Sequence, residues 1–267
     1  MPLHLSPSFR EQLGSSGRPL IGMWACSGSP LVTEVAAGSG LDWLLIDMEH
    51  SANTLESTLM QLQVVAAYPI TPVVRVSSND VVAIKQVLDL GAQNLIVPMV
   101  SSVDEARAAV AATRYPPEGV RGVGSALARS ARWNRVDGYL QDSARHTSLT
   151  VQIETAAGVQ AAAEIAAVDG VDAVFVGPSD LSASMGLLGQ QTHPEVVSAV
   201  EQVFAAVKAA GKPVGVNTFD PSAADAYIAA GADFVAVGAD VAMLARASEA
   251  LAARFVPASD DATRASY

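Results

Sequence analysis

The chain has one cysteine, Cys26, and three lysines, Lys85, Lys208 and Lys212, among its 267 residues. A single cysteine excludes an internal disulfide and a thiolate metal cluster, and it predicts a reducing, cytoplasmic setting in which Cys26 is a small packed residue. Few lysines narrow the chemistry further. A Schiff-base mechanism needs an amine inside the pocket, and the residue pattern assigns Lys85 and Lys208 to helices and Lys212 to the start of a strand, away from any active rim. No histidine pair with metal-binding helical spacing exists, so a zinc site of soft ligands is disfavoured. Basic residues number 16 against 27 acidic ones, and the net charge of -11 excludes nucleic acid and anionic membrane surfaces as natural partners. No apolar run reaches the roughly 20 residues that span a bilayer. The opening MPLHLSPSFREQLGSSGRP also lacks the basic start and apolar stretch of a targeting segment.

What the chain does have is alternation. Eight short apolar runs, LIGMWA, DWLLID, PVVRV, NLIVPM, LTVQIE, AVFVG, PVGVN and FVAVG, read as strands buried on both faces. Alanine-rich amphipathic segments lie between them, including TLESTLMQLQVVAAY, DVVAIKQVLDLG, SVDEARAAVAATRY, AAGVQAAAEIAAV and DVAMLARASEALAARF. Eight such units over this length predict a (β/α)8 TIM barrel as one domain over 1–267, with residues 1–18 as an N-terminal extension and 256–267 as a C-terminal tail. An open doubly wound sheet is the alternative, since a strand count does not prove closure. One join, PPEGVRGVGSALARSARWNRVDGYLQDSARH, is far longer than an ordinary loop and is rich in arginine for an acidic protein.

In a barrel, chemistry sits at the C-terminal ends of the strands. The residues expected there are Trp24, Asp47, Glu49, His50, Arg75, Pro98, Gln152, Glu154, Gly177 to Asp180, Asn217 and Asp240. Each has a structural reading as a polar strand end or helix cap, and Asp180 in GPSDLS could be a cap alone. Their convergence on one rim favours a functional reading. Glu154 and Asp180, from separate strands, suit a hard divalent ion with open positions. His50 is the one histidine of four on this rim, and so the candidate general base. Arg75, the lone charge in its strand, needs either a ligand anion or a neighbouring acid. Asp89 lies in the last turn of a helix, where the dipole disfavours a carboxylate, so a cation such as an imidazolium could compensate it; a solvated surface position is the plainer alternative.

The motifs LLIDMEHSANT, VVRVSSND, RYPPEGVRGVGSALARSARWN, VQIETAAG and FVGPSDLSASMG resemble those of the HpcH/HpaI aldolases, especially its 4-hydroxy-2-oxoheptanedioate aldolases, from about Gly22 to Phe255. The resemblance implies a class II aldolase that reversibly cleaves 4-hydroxy-2-oxo acids to pyruvate, or a hydroxylated analogue such as hydroxypyruvate, and an aldehyde through an enolate held on a divalent ion. Mg2+, Mn2+ or Co2+ would serve, with Zn2+ also admissible. It further implies a homohexamer, a dimer of trimers with exchanged C-terminal helices. Carried over by motif, His50 is the proton acceptor, Arg75 stabilises the enolate, and Asp89 raises the basicity of His50. Glu154 and Asp180 become the metal ligands, while Gln152, Gly177, Pro178, Ser179, Asp180, Arg75, Trp24 and Asn217 contact substrate. The arginine-bearing join would bind an anionic aldehyde tail, cover the site from a neighbouring subunit, or simply pack at an interface. Met48, Ser78 and Asn217 depart from the residues usual in this family, which bears on the substrate more than on the reaction. The rivals are a citrate-lyase-type enzyme acting on acyl-CoA substrates and a ligand-binding barrel without turnover; the motif from Gly122 to Arg135 and the complete candidate set speak against them.

Overall fold

In the computed structural model, which describes residues 3–257, eight parallel strands close into a barrel in the order β1 to β8. They are β1 Leu20–Ala25, β2 Trp43–Asp47, β3 Thr71–Arg75, β4 Asn94–Val97, β5 Ser148–Ile153, β6 Ala173–Val176, β7 Val214–Asn217 and β8 Phe234–Ala239. Closure by pairing of β1 with β8 excludes the open sheet. The helices are α1 Phe9–Ser15, α2 Pro30–Ala37, α3 Leu55–Val65, α4 Val81–Asp89, α5 Val103–Thr113, α6 Tyr139–His146, α7 Ala156–Gln160, α8 Ala162–Ala166, α9 Pro178–Ser184, α10 Pro194–Ala209, α11 Pro221–Ala229 and α12 Asp240–Phe255. Ser29, Thr54, Asp80 and Ser102 start α2 to α5 by accepting first-turn N–H groups, which satisfies donors that the helices cannot pair internally.

Side chains alternate across each strand. One set packs outward under the helices, including Leu44, Ile46, Val74, Leu95 and Val151. The other set, including Leu45, Trp43, Val73, Ile96, Phe175 and Phe234, fills the barrel itself. The run Ala156–Val168, expected as one helix, kinks at Ala161, yet bonds from Ala161 N to Ala157 O and from Ile165 N to Ala161 O carry the helical ladder through.

The N-terminal extension is part of the barrel floor. A capping box between Ser8 and Glu11 starts α1 and presents Phe9 inward. Phe9 is fully buried against Trp43 and Phe234, and its N–H donates to Asn94 Oδ1 at 2.7 Å. The long join between α5 and β5 contains α6 and a small core of its own, formed by Tyr115, Ala131, Val136 and Tyr139. At the other end of the chain, Asp240 is the one buried residue of α12. Of the tail assigned to 256–267, residues beyond Pro257 lie outside the described part. No helix among the described residues is long and apolar enough to cross a membrane.

Candidate active site

Strand register builds the centre of the rim. Asp47 and Arg75 are paired partners at the ends of β2 and β3, so both side chains point into the barrel mouth. Asp47 Oδ1 accepts from Arg75 Nε at 2.8 Å and Oδ2 from Nη2 at 2.9 Å, a two-pronged clamp with both residues buried. The same carboxylate accepts the N–H groups of Glu49 and His50, which shapes the turn after β2. Arg75 Nη1 lies 2.8 Å from Glu49 Oε2, although that oxygen makes no aligned hydrogen bond. The guanidinium also sits over the Trp24 ring, 4.3 Å from its centroid. Of the two partners expected for Arg75, the neighbouring acid is therefore present.

Glu154 follows β5 and is buried. One carboxylate oxygen accepts the Met99 N–H at 2.7 Å, and the other accepts Gln152 Nε2. Burial, reinforced by the charges of Glu49 and Asp180, pushes the Glu154 carboxyl up to about 7 despite these bonds. Burial likewise raises Glu49, with Asp47 and Asp180 adding to it against the pull of Arg75. A Cβ on Gly177 would lie 2.7 Å from Glu154 Oε2 and 2.8 Å from Gln152 Nε2, so only glycine lets the β6 end pass this carboxylate. Pro178 opens α9; Ser179 and Asp180 are exposed in its first turn, whose N–H groups have no intrahelical acceptor and no side-chain cap. Asn217 is partly buried at the end of β7.

His50 stands at the outer edge, its side chain 63% exposed and Nε2 4.0 Å from Glu49 Oε2. Asp89 is not beside it. Helix α4 runs back down the barrel and ends at Asp89 near the start of β4, whereas His50 follows the end of β2, so within one chain the two occupy opposite ends. The cation that compensates Asp89 is Arg121, whose Nη2 lies 3.1 Å away on a fully buried side chain between Tyr115 and Tyr139. The other arginines of the long join also fail to reach the rim within the chain: Arg129 and Arg132 lie beside Thr71 and Asn94, at the starts of β3 and β4.

Two of the sequence exclusions are visible directly. Lys212 Nζ donates to Val171 O and Lys208 pairs with Asp233, both at the N-terminal end of the barrel, and Lys85 belongs to α4. Burial, with the charges of Asp47 and Asp240 nearby, pushes the Cys26 thiol up to about 12, which keeps it protonated and poor as a nucleophile. Asp240 is a brace, accepting the N–H groups of Cys26 and Ser27 and so joining β8 to the end of β1. Sequence reading missed Met99. Its backbone has φ 57, an uncommon conformation for a side-chain-bearing residue, and its N–H holds Glu154. Nothing in the residue type signals that role.

Trp24 Nε1 and Gln152 Oε1 are buried here without hydrogen-bond partners, and Glu49 Oε2 has only its ion-pair contact with Arg75, which suits a ligand-binding site. Among the described residues no set of three or more His, Cys, Asp or Glu side chains forms a metal cage.

A closed (β/α)8 barrel with carboxylates, an arginine and a histidine gathered at the C-terminal ends of its strands is the architecture of a barrel enzyme. The model of the HpcH/HpaI aldolase/citrate lyase family matches residues 20–247, and the chain belongs to that family. It is 52% identical to the 4-hydroxy-2-oxo-heptane-1,7-dioate aldolase of Salmonella dublin, over 93% of this chain and 94% of that enzyme. A solved HpcH/HpaI aldolase/citrate lyase family protein from Burkholderia cenocepacia J2315 superposes with a TM-score of 0.88 at 40% identity, covering 92% of this chain and 97% of the other. Citrate synthase SbnG superposes with a TM-score of 0.82 at 30% identity, covering 92% and 96%. The chain is thus a carbon–carbon lyase of the aldolase kind.

Proposed function

We propose that the enzyme is a class II aldolase that reversibly cleaves 4-hydroxy-2-oxo acids into pyruvate, or a hydroxylated analogue such as hydroxypyruvate, and an aldehyde. The observation that carries this reading is the grouping of buried Glu154 with Glu49 and Asp180, whose charges add to the burial that raises the Glu154 carboxyl; a cation bound among them would offset both. Oxygen donors of this kind fit Mg2+, Mn2+ or Co2+, and Glu154 and Asp180 would hold the ion. When bound, such an ion supplies Lewis acidity to a 2-oxo carbonyl.

The chain's own side chains account for the rest. Arg75, already fixed by Asp47, presents its remaining N–H groups to the oxygen on which negative charge develops. Gln152, Trp24 and Asn217 flank the bound acid, and the first-turn N–H groups of Ser179 and Asp180 are available to its carboxylate. His50, in contact with solvent, takes the methyl proton of the donor in synthesis and returns it in cleavage. Chelation with EDTA is expected to abolish aldol activity and added Mg2+, Mn2+ or Co2+ to restore it; full activity in the chelator refutes the metal requirement. His50→Ala should slow exchange of pyruvate methyl protons with solvent far more than it weakens pyruvate binding, and equal losses in both would remove His50 from this role.

Separation of Asp89 from His50 supports an assembly in which Asp89 serves the His50 of another copy, as in the hexamer with exchanged C-terminal helices. The nearly unburied α12, with exposed Met243, Leu244, Leu251 and Phe255, is of the composition such an exchange uses. Mixing inactive His50→Ala and Asp89→Asn proteins under conditions that scramble subunits is therefore expected to recover activity, because some sites receive both intact residues. A mixture as inactive as its components argues against the shared site.

A further inference from the structure

The N-terminal end of the barrel holds a cavity of about 240 Å³ between the end of α3, the end of α4 and the long join. Two of its walls are Arg129 and Arg132, and none of its lining residues is an aspartate or glutamate. That is unexpected in a chain with 27 acidic and 16 basic residues. Neither arginine makes an ion pair among the described residues, although both are half-buried. Arg129 uses Nη1 on Leu90 O at 3.1 Å and Nη2 on Leu62 O at 3.4 Å; Arg132 uses Nη1 on Arg129 O at 2.7 Å. Each guanidinium carries five N–H donors, so most of them have no acceptor among the described residues. The neighbouring amides are already engaged: Gln93 Nε2 with Ser6 O, and Asn94 Nδ2 with Pro72 O.

The two guanidiniums come together beside Gly91, through the Nη1 atoms that donate to Leu90 O and Arg129 O. A Cβ at Gly91 would lie 2.7 Å from Arg129 Nη1 and 2.9 Å from Arg132 Nη1. The backbone that delivers Arg132 is itself unusual, with Arg132, Trp133 and Asn134 in the left-handed region at φ 49, 57 and 59. Such runs persist where the surroundings hold them. Burial and the charge of Arg132 push Arg129 down to about 10, and burial lowers Arg132 as well. Paired guanidiniums brought together and partly dried without an anion are an unfinished arrangement.

We propose that this cavity binds a small phosphate-type oxyanion, either free phosphate or the phosphate group of a small metabolite, clamped between Arg129 and Arg132. Two neighbouring forks with several free donors match a dianion with oxygens on more than one side better than a single carboxylate, which one guanidinium satisfies alone. The volume lies below the roughly 300–1,000 Å³ of larger ligand sites, which suits an anion of this size. Within one chain the site lies at the opposite end of the barrel from the active rim, and it does not depend on the reaction assigned there.

The full-length protein in a chloride buffer, titrated calorimetrically at constant ionic strength with inorganic phosphate, glycerol 3-phosphate and acetate, tests the assignment. Saturable phosphate binding is expected, weakened about tenfold or more in Arg132→Gln and less in Arg132→Lys, which keeps the charge without the fork. In chloride alone, Arg132→Gln should melt no lower than the wild type, because it removes an uncompensated cation. Glycerol 3-phosphate bound at least as tightly as phosphate identifies a phosphorylated metabolite as the ligand; its rejection identifies the free ion. Absence of saturable phosphate binding, equal phosphate affinity in Arg132→Gln, or acetate bound as tightly as phosphate overturns the proposal.

Discussion

Arg75→Lys is expected to reduce kcat for aldol cleavage by about 10²- to 10³-fold, the usual effect of removing one donor to a developing oxyanion, with a smaller loss of stability than Arg75→Ala. Lysine keeps a positive charge near Asp47, but it cannot reproduce the Nε and Nη2 bonds to Asp47 while Nη1 faces Glu49. Arg75→Ala should add a loss of stability on the order of 3–5 kcal/mol, because Asp47 is left buried and without its counter-ion. Steady-state kinetics together with thermal melts separate the two contributions. A lysine variant with wild-type kcat and only a raised KM would mean that Arg75 binds substrate and transition state equally, contrary to the role proposed for it.

The metal-free enzyme is expected to lose about 3 kcal/mol of unfolding free energy between about pH 4.5 and pH 7 through Glu154 alone. The folded carboxyl keeps its proton up to about 7, while the unfolded one releases it near 4.5. Between those values the folded state binds more protons than the unfolded state, so stability falls as pH rises, and the effect is complete above both. Denaturant titrations in EDTA across this range, with Glu154→Gln as reference, measure it. The wild type should decline relative to the variant, and equal slopes would refute the assignment. The same proton competes with a metal: apparent Mg2+ affinity is expected to fall about tenfold per pH unit below about 7, since a carboxylate ligand must be ionised to bind.

The barrel was legible because its cause is local. All eight strands sit where the apolar runs predict them, and parallel strands covered on both faces have few alternatives to continuous Val, Ile and Leu. His50, Arg75, Glu154 and Asp180 were legible for a related reason: the topology puts every strand end on one rim, so polar residues at strand ends become candidates in advance. Asp47 was harder to read. Its acidity is plain in LLIDMEHS, but its use as the clamp on Arg75 depends on the β2–β3 register.

Taken alone, the sequence determined the eightfold alternation, the placement of the three lysines away from the strand ends that form the rim, and which residues stand on that rim, since all three follow from residue order and spacing. Tertiary structure decided which partner each charge has. Within the chain it paired Arg75 with Asp47 and Asp89 with Arg121, set Met99 on Glu154 and, among the described residues, left Arg129 and Arg132 together without an acid. Ion pairing falls off over a few ångströms, and distances that short are set by how distant segments pack, which residue order does not specify.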